Sequence, residues 1–169
     1  MATEMAVMAS NGKWSRIAVA EMGGHHVYQN IREYFQAELK TATGEFMLDR
    51  ITFIPGANYE EVKKLAAKEG IFLLLDCGSC WQQFEAVAHL CDRRLLLCRL
   101  VPWRMERFYT FLRQVKEVDF HSILITGGKA YRKEFRKKDK EKMVLFKEAE
   151  DSFCVPQERL RELYRIAGL

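Results

Sequence analysis

The sequence predicts an α/β fold with a mostly parallel sheet and helices on both faces. Three observations carry that prediction. Short β-type runs alternate with helical patterns along the chain. One run, 71–75 (IFLLL), is apolar at every position, as a strand covered by helices on both sides is. The segments after the strands are rich in Gly and polar residues, as the carboxyl-end rim of an open parallel sheet is.

The size and composition agree. The chain has 169 residues, 49% of them hydrophobic and 30% charged, with three prolines. One domain over 1–169 accounts for that length, and the composition excludes a disordered or collagen-like chain. No apolar run reaches the roughly 18 residues a membrane-spanning helix needs. The opening stretch MATEMAVMASNGKW has no early basic residue and no long apolar core, so no secretory leader is expected.

In chain order, residues 1–13 read as the end of a first helix and a turn, with Met1, Met5, Ala6 and Met8 apolar. Residues 16–21 (RIAVAE) form a strand broken by Gly23 and Gly24. A helix over 27–39 follows, with Ile31, Tyr34, Phe35 and Leu39 at helical spacing. The strand 51–54 (ITFI) stops at Pro55-Gly56. Asn58 then reads as an N-cap, and Glu60 and Glu61 suit the positive end of the helix dipole. That helix turns Val62, Leu65 and Ala66 inward and ends before Gly70. The strand 71–75 ends at Asp76, and the next helix starts at Ser79 or Cys80 and runs to about 90. A strand over 94–98, a helix over 103–118 and a strand over 122–126 follow, the last closed by Gly127-Gly128. Residues 129–137 read as a short basic helix and 143–146 as a last strand. Pro156 opens a final helix that brings Leu160, Leu163, Tyr164 and Ile166 to one face within 156–169.

The net charge is +4, too small to imply nucleic acid by itself. The charge is uneven, however. Lys129, Arg132, Lys133, Arg136, Lys137 and Lys138 crowd the segment 129–142. Such a block is either a solvated helix face or a contact surface for phosphate or an acidic partner, so a nucleic-acid contact there stays open. The five cysteines are odd in number and lack an export signal, which places reduced thiols in a cytoplasm.

From 3 to about 150 the order of segments resembles the ParA/MinD class of P-loop ATPases. TEMAVMASNGKWSRIAVAEMG is similar to that family's first helix, short turn and second strand. ITFIPGANYEEVKKLAAKEGIFLLLDCGS is similar to its strand, Pro-containing turn, helix and apolar strand ending in Asp. CDRRLLLCRLVPWRMERFYTFL is similar to a later strand, loop and helix.

The resemblance implies a fold incomplete at its N-terminus, because the family's first strand and Gly-rich Lys-Ser/Thr loop would precede Thr3. That loop supplies the N–H groups and the lysine that hold phosphate. The resemblance places Asp76 at the family's Mg²⁺-facing acid and Glu21 at the first of two carboxylates. Gly23 stands where the second, water-positioning carboxylate would be. Thr126 or Gly127 stands where an Asn often reads adenine.

The implied function is a non-catalytic, pseudo-ATPase domain acting as an interaction or regulatory protein in a bacterial cytoplasm, with no cofactor. The alternative is an ATP-binding protein whose true start lies upstream, with MgATP as its ligand. A protein partner or a homodimer is expected, since family members dimerise across the nucleotide. The expected partner or nucleotide rim comprises Glu21, Gly23, Gly24, His25, Asp76, Cys77, Gly78, Ser79, Pro102 and Thr126, and extends to Arg104.

Other constellations compete for the same residues. Cys77 and Cys80 form a C-x-x-C between a strand and a helix, where a helix N-terminus lowers a thiol pKa; adjacent Asp76 opposes that. Cys77, Cys80, His25 and His26 supply two thiols and two imidazoles for a zinc ion, though not at finger spacing. Asp76 and Glu21 are either a catalytic or Mg²⁺-binding pair, or Asp76 caps the following helix. Trp81, Phe84, Trp103, Phe108 and Phe111 read as core or interface packing. The last helix is amphipathic with a short apolar stripe, which favours packing on the sheet over a membrane.

Overall fold

The computed structural model describes residues 1–12, 14–22, 24, 26–41, 44–114, 119–127, 142–147 and 151–169. The chain runs α1 (Ala2–Ser10), β1 (Arg16–Glu21), α2 (Val27–Tyr34), β2 (Phe46–Leu48), β3 (Ile51–Ile54), α3 (Tyr59–Ala66), β4 (Ile71–Asp76) and α4 (Trp81–Val87). It continues with β5 (Leu95–Leu100), α5 (Pro102–Gln114), β6 (Ser122–Gly127), β7 (Met143–Leu145) and α6 (Gln157–Ala167).

The fold is α/β, and among the described residues the strands divide into two sheets. One has the order β2-β3-β1-β4, the other β5-β6-β7. β1 pairs in parallel with both β3 and β4, and β6 pairs in parallel with β5 and β7. The expected single sheet is therefore corrected to two. A further difference is β2, which no sequence signal marked and which pairs antiparallel with β3. The turn between them carries Asp49 at φ 45° and Arg50 at φ 68°. Two successive positive φ angles match the right-handed twist of a hairpin, but here they occur without glycine.

The expected helix over 27–39 also ends early, at Tyr34. Gln36 takes a φ of 51°, the chain leaves the helix, and Leu39 bridges to Phe46. Phe35 packs edge-on against Phe153 (5.2 Å between rings). The 103–118 helix is described from Pro102 to Gln114, and 115–118 lie outside the described residues, as does the basic helix over 129–137.

Helices cover both faces. On one face Met5 and Met8 of α1, Tyr28 of α2 and Leu163 and Ile166 of α6 form one cluster over Val19 and Phe53 of the first sheet and Leu124 of the second. Each such side chain fully buried contributes roughly 1.5–3 kcal/mol. On the other face Val62 of α3 and Val87 of α4 pack on Ala18, Ala20 and Ile54. Trp81 and Phe84, from the first turn of the same α4, pack instead with Phe108 over Cys98, Ile123 and Ile125 of the second sheet. α4 thus spans both sheets on that face, as the α1–α6 layer does on the other. Trp103 is the exception among the aromatics expected to be packed, since it is 79% exposed.

Two helix ends show local chemistry at work. Asn58 accepts from the Glu61 N–H (3.0 Å), as the N-cap expected of it does, and Glu61 in turn accepts from the Asn58 N–H (2.9 Å), which closes a reciprocal capping box. α6 ends at Gly168 with φ 71°, and the Arg93 guanidinium packs where a Cβ would stand. The left-handed φ makes any other residue there strained, whereas the Arg93 guanidinium is the free end of a flexible side chain that can move aside.

Candidate functional site

β1 ends in Glu21 and β4 in Asp76, and the parallel register makes the two residues neighbours. The sequence-predicted carboxylate pair is therefore brought together at the carboxyl end of the first sheet. The two acids are held differently.

Glu21 is 2% exposed. Its Oε1 accepts from the Val27 N–H at 2.9 Å, the first residue of α2, where helix N–H groups favour an acid. Its Oε2 has no hydrogen-bond partner among the described residues. The main chain locks the position, since the Ala57 N–H donates to Glu21 O and the Met22 N–H donates to Asp76 O.

Asp76 is half-buried and accepts through both oxygens. Tyr28 donates its hydroxyl to Oδ2 at 2.9 Å, and the Gly78 N–H donates to Oδ1 at 3.0 Å. Gly78 has a φ of 54°, the left-handed region this tight turn needs. The expected helix cap is thereby corrected: Asp76 closes a turn on itself, and Cys80 at the N-cap of α4 makes no side-chain cap bond. Tyr28 is itself buried, with its ring 5.4 Å from Phe53. Burial first, and the Asp76 charge second, push its phenol far above the ordinary value, so it stays a neutral donor. Tyr28 was not a candidate in the sequence, because nothing in local spacing links positions 28 and 76.

Beside this cluster lies a cavity of about 580 Å³ lined by Met1 and Thr3 at the start of α1, Tyr28 and Ile31 of α2, Asp76 and Phe153. An ionised carboxylate has roughly four acceptor positions, so Asp76 keeps acceptor capacity toward that space beyond its two internal bonds.

The remaining rim residues are dispersed. Gly78 and Ser79 are exposed beside Asp76, and Gly24 and His26 lie between β1 and α2. Thr126 is buried on β6 opposite Arg99, and Pro102 opens α5, so both belong to the second sheet. Arg104 follows in the first turn of α5 and is exposed. Gly23, His25 and the basic residues Lys129, Arg132, Lys133, Arg136, Lys137 and Lys138 lie outside the described residues.

The Cys77 thiol is not activated. Burial, then Cys91 and Asp76, push the Cys77 thiol up to about 12, the opposite of the shift a nucleophilic cysteine needs. Among the described residues, no group of three or more His, Cys, Asp or Glu side chains is placed to hold a metal ion. Also among them, no helix is long and apolar enough to cross a membrane.

Comparison with protein-family models, with curated proteins and with solved structures gave no significant match.

Proposed function

We propose that the chain is a non-catalytic interaction domain built on a ParA/MinD-like, P-loop-NTPase-like α/β frame. The observation that carries this reading is the engagement of Asp76. The acid that resembles the family's Mg²⁺-facing residue has each oxygen tied internally, one to Tyr28 and one to Gly78. Its strand neighbour Glu21 is buried against the start of α2. Gly23 stands at the position of the second family carboxylate, so no third acid joins them from that turn. Such a site holds its own fold together more than it presents charge to a metal and a triphosphate. The exposed turn at Gly78 and Ser79 is the surface for a regulatory partner.

The test is isothermal calorimetry of the 169-residue chain with MgATP. The expected result is no heat of binding up to millimolar nucleotide. Micromolar binding would overturn the non-catalytic reading and favour an ATP-binding domain that uses the cavity beside Asp76.

A further inference from the structure

We infer that Cys77 and Cys80 form a reversible disulfide that closes the turn at the end of β4, with a low-molecular-weight disulfide as the oxidant. The inference goes beyond the interaction-domain reading and does not depend on it.

The first observation is the backbone. The Cys80 N–H donates to Cys77 O at 3.2 Å, so residues 77–80 form a hydrogen-bonded β-turn. Gly78, at its first central position, takes the φ of 54° that glycine allows. Such a turn holds its first and last Cα atoms within about 7 Å. A disulfide spans about 4.4–6.8 Å between Cα atoms. Closure thus starts from a main chain already at disulfide range.

The second observation is the state of the sulfurs. Both thiols are free, and both side chains are half-buried. Cys80 stands at the N-cap of α4 yet makes no side-chain cap bond. Its thiol donates to Gln82 Oε1 at 3.4 Å, an exposed contact. No helix cap is therefore given up when Cys80 enters a disulfide. After burial itself, Cys91 and Cys80 both act electrostatically on Cys77. Of these two, Cys91 directs its thiol at Val87 O (3.4 Å) inside the helical run, whereas Cys80 is joined to Cys77 through the turn.

The two thiols take different parts in the exchange. Cys80 gives up its proton, and its sulfur attacks one sulfur of the small disulfide. That S–S bond breaks, a mixed disulfide forms on Cys80, and the other half leaves as a thiol. Cys77 then gives up its proton, attacks the Cys80 sulfur and expels the second half as a thiol. Two protons and two electrons pass from the protein to the small disulfide. Burial suppresses the Cys77 thiolate, so Cys77 makes the second attack, where proximity within the turn offsets its small thiolate fraction. The product carries no charge, so burial does not oppose it. The closed ring holds only Gly78 and Ser79 between the cysteines, both exposed. Gly78 also donates its N–H to Asp76 Oδ1 at 3.0 Å. The disulfide therefore stiffens the turn that ties Asp76.

The probe is glutathione disulfide, added to the folded, reduced whole chain until exposed Cys154 is modified. Remaining thiols are then alkylated, and mass spectrometry follows cleavage after Trp81, which separates the pair from Cys91. The expected peptide carries Cys77 and Cys80 with two hydrogens lost and neither alkyl group nor glutathione, and dithiothreitol restores both thiols. Cys77→Ser is expected to raise the glutathione adduct on Cys80 by about tenfold or more, because the resolving thiol is gone. Cys80→Ser is expected to leave Cys77 unmodified. Hydrogen exchange at the Gly78 amide is expected to slow about threefold or more in the oxidised chain. A lasting adduct on Cys80 of the natural chain, a bond from Cys77 to Cys91, or alkylation of both thiols after Cys154 has reacted would each overturn the disulfide. Unchanged exchange at Gly78 would overturn the stiffening of the turn.

Discussion

Tyr28 and Asp76, 48 residues apart, are joined by a 2.9 Å hydrogen bond that ties α2 to the end of β4. The donor is buried and neutral, and the acceptor borders the cavity. Tyr28→Phe keeps the ring on Phe53 and removes only the hydroxyl. A hydrogen bond to a charged group contributes about 1.5–3 kcal/mol, less where water can replace the donor. Because Asp76 borders the cavity, a loss of about 1 kcal/mol is expected, or about 2–4 °C in Tm for a chain of this length. Tyr28→Ala, which also empties the space beside Phe53, is expected to cost about 3–5 kcal/mol. Urea unfolding of both variants checks the ordering; equal losses would show that the hydroxyl alone matters and that the ring packing adds nothing.

The two ends of the chain are clasped by Glu4 and Arg159. Arg159 Nε lies 3.0 Å from Glu4 Oε2, with the side chains 11% and 3% exposed, and its guanidinium sits 3.5 Å from the centre of the Phe146 ring. Arg159 also pairs with Glu162 at 2.7 Å. Arg159→Met retains much of the stem but leaves Glu4 buried with, among the described residues, only the Met1 amino group at 3.4 Å. Removing one partner of a buried pair costs about 3–5 kcal/mol. The double variant Glu4→Gln with Arg159→Met is expected to recover part of that loss. Recovery measured in a double-mutant cycle distinguishes a buried-charge penalty from lost packing; strict additivity would rule out coupling between the two residues.

His121 gives the protein a pH dependence near neutrality. Its Nδ1 accepts from the Arg94 N–H at 3.2 Å, just before β5. Burial first, then the charges of Arg94 and Arg93, hold its pKa below the ordinary value of 6.5. The fold therefore favours the neutral ring. That contribution is present above the unfolded value and is lost as pH falls through the lower folded value, because the unfolded chain then binds more protons. Urea midpoints are expected to drop between about pH 7 and pH 5. His121→Gln retains an acceptor for Arg94 without titrating, and is expected to reduce that drop. An NMR titration placing the His121 pKa above 6.5 would reverse the sign.

Local chemistry made much of the frame legible. The all-apolar run 71–75 announced β4, and Asn58 with Glu61 announced the start of α3. The Glu21–Asp76 pairing followed from two strand ends meeting in a parallel sheet. The rest depends on contacts that no local pattern encodes. β2 is three residues long, and Asp49 and Arg50 make its turn without the glycine that marks such turns. Leu39 keeps helical spacing, yet the chain has left the helix at Gln36. The division into two sheets was also hidden, because IFLLL and LLLC read as interior strands whether or not a strand lies between them.

Glu21 supplies the last prediction. A buried carboxylate with one oxygen unpartnered is costly, since desolvation of a charge outweighs a single hydrogen bond unless the other lone pairs are satisfied. Glu21→Gln preserves a carbonyl oxygen for the Val27 N–H and removes the buried charge. Its amide nitrogen then occupies the unpartnered position, a smaller penalty than an unpartnered charge. The expected result is no loss of stability and a gain of about 1 kcal/mol, read as a higher urea midpoint with unchanged slope. A loss of more than about 1 kcal/mol would instead show that the Glu21 charge is compensated within the fold.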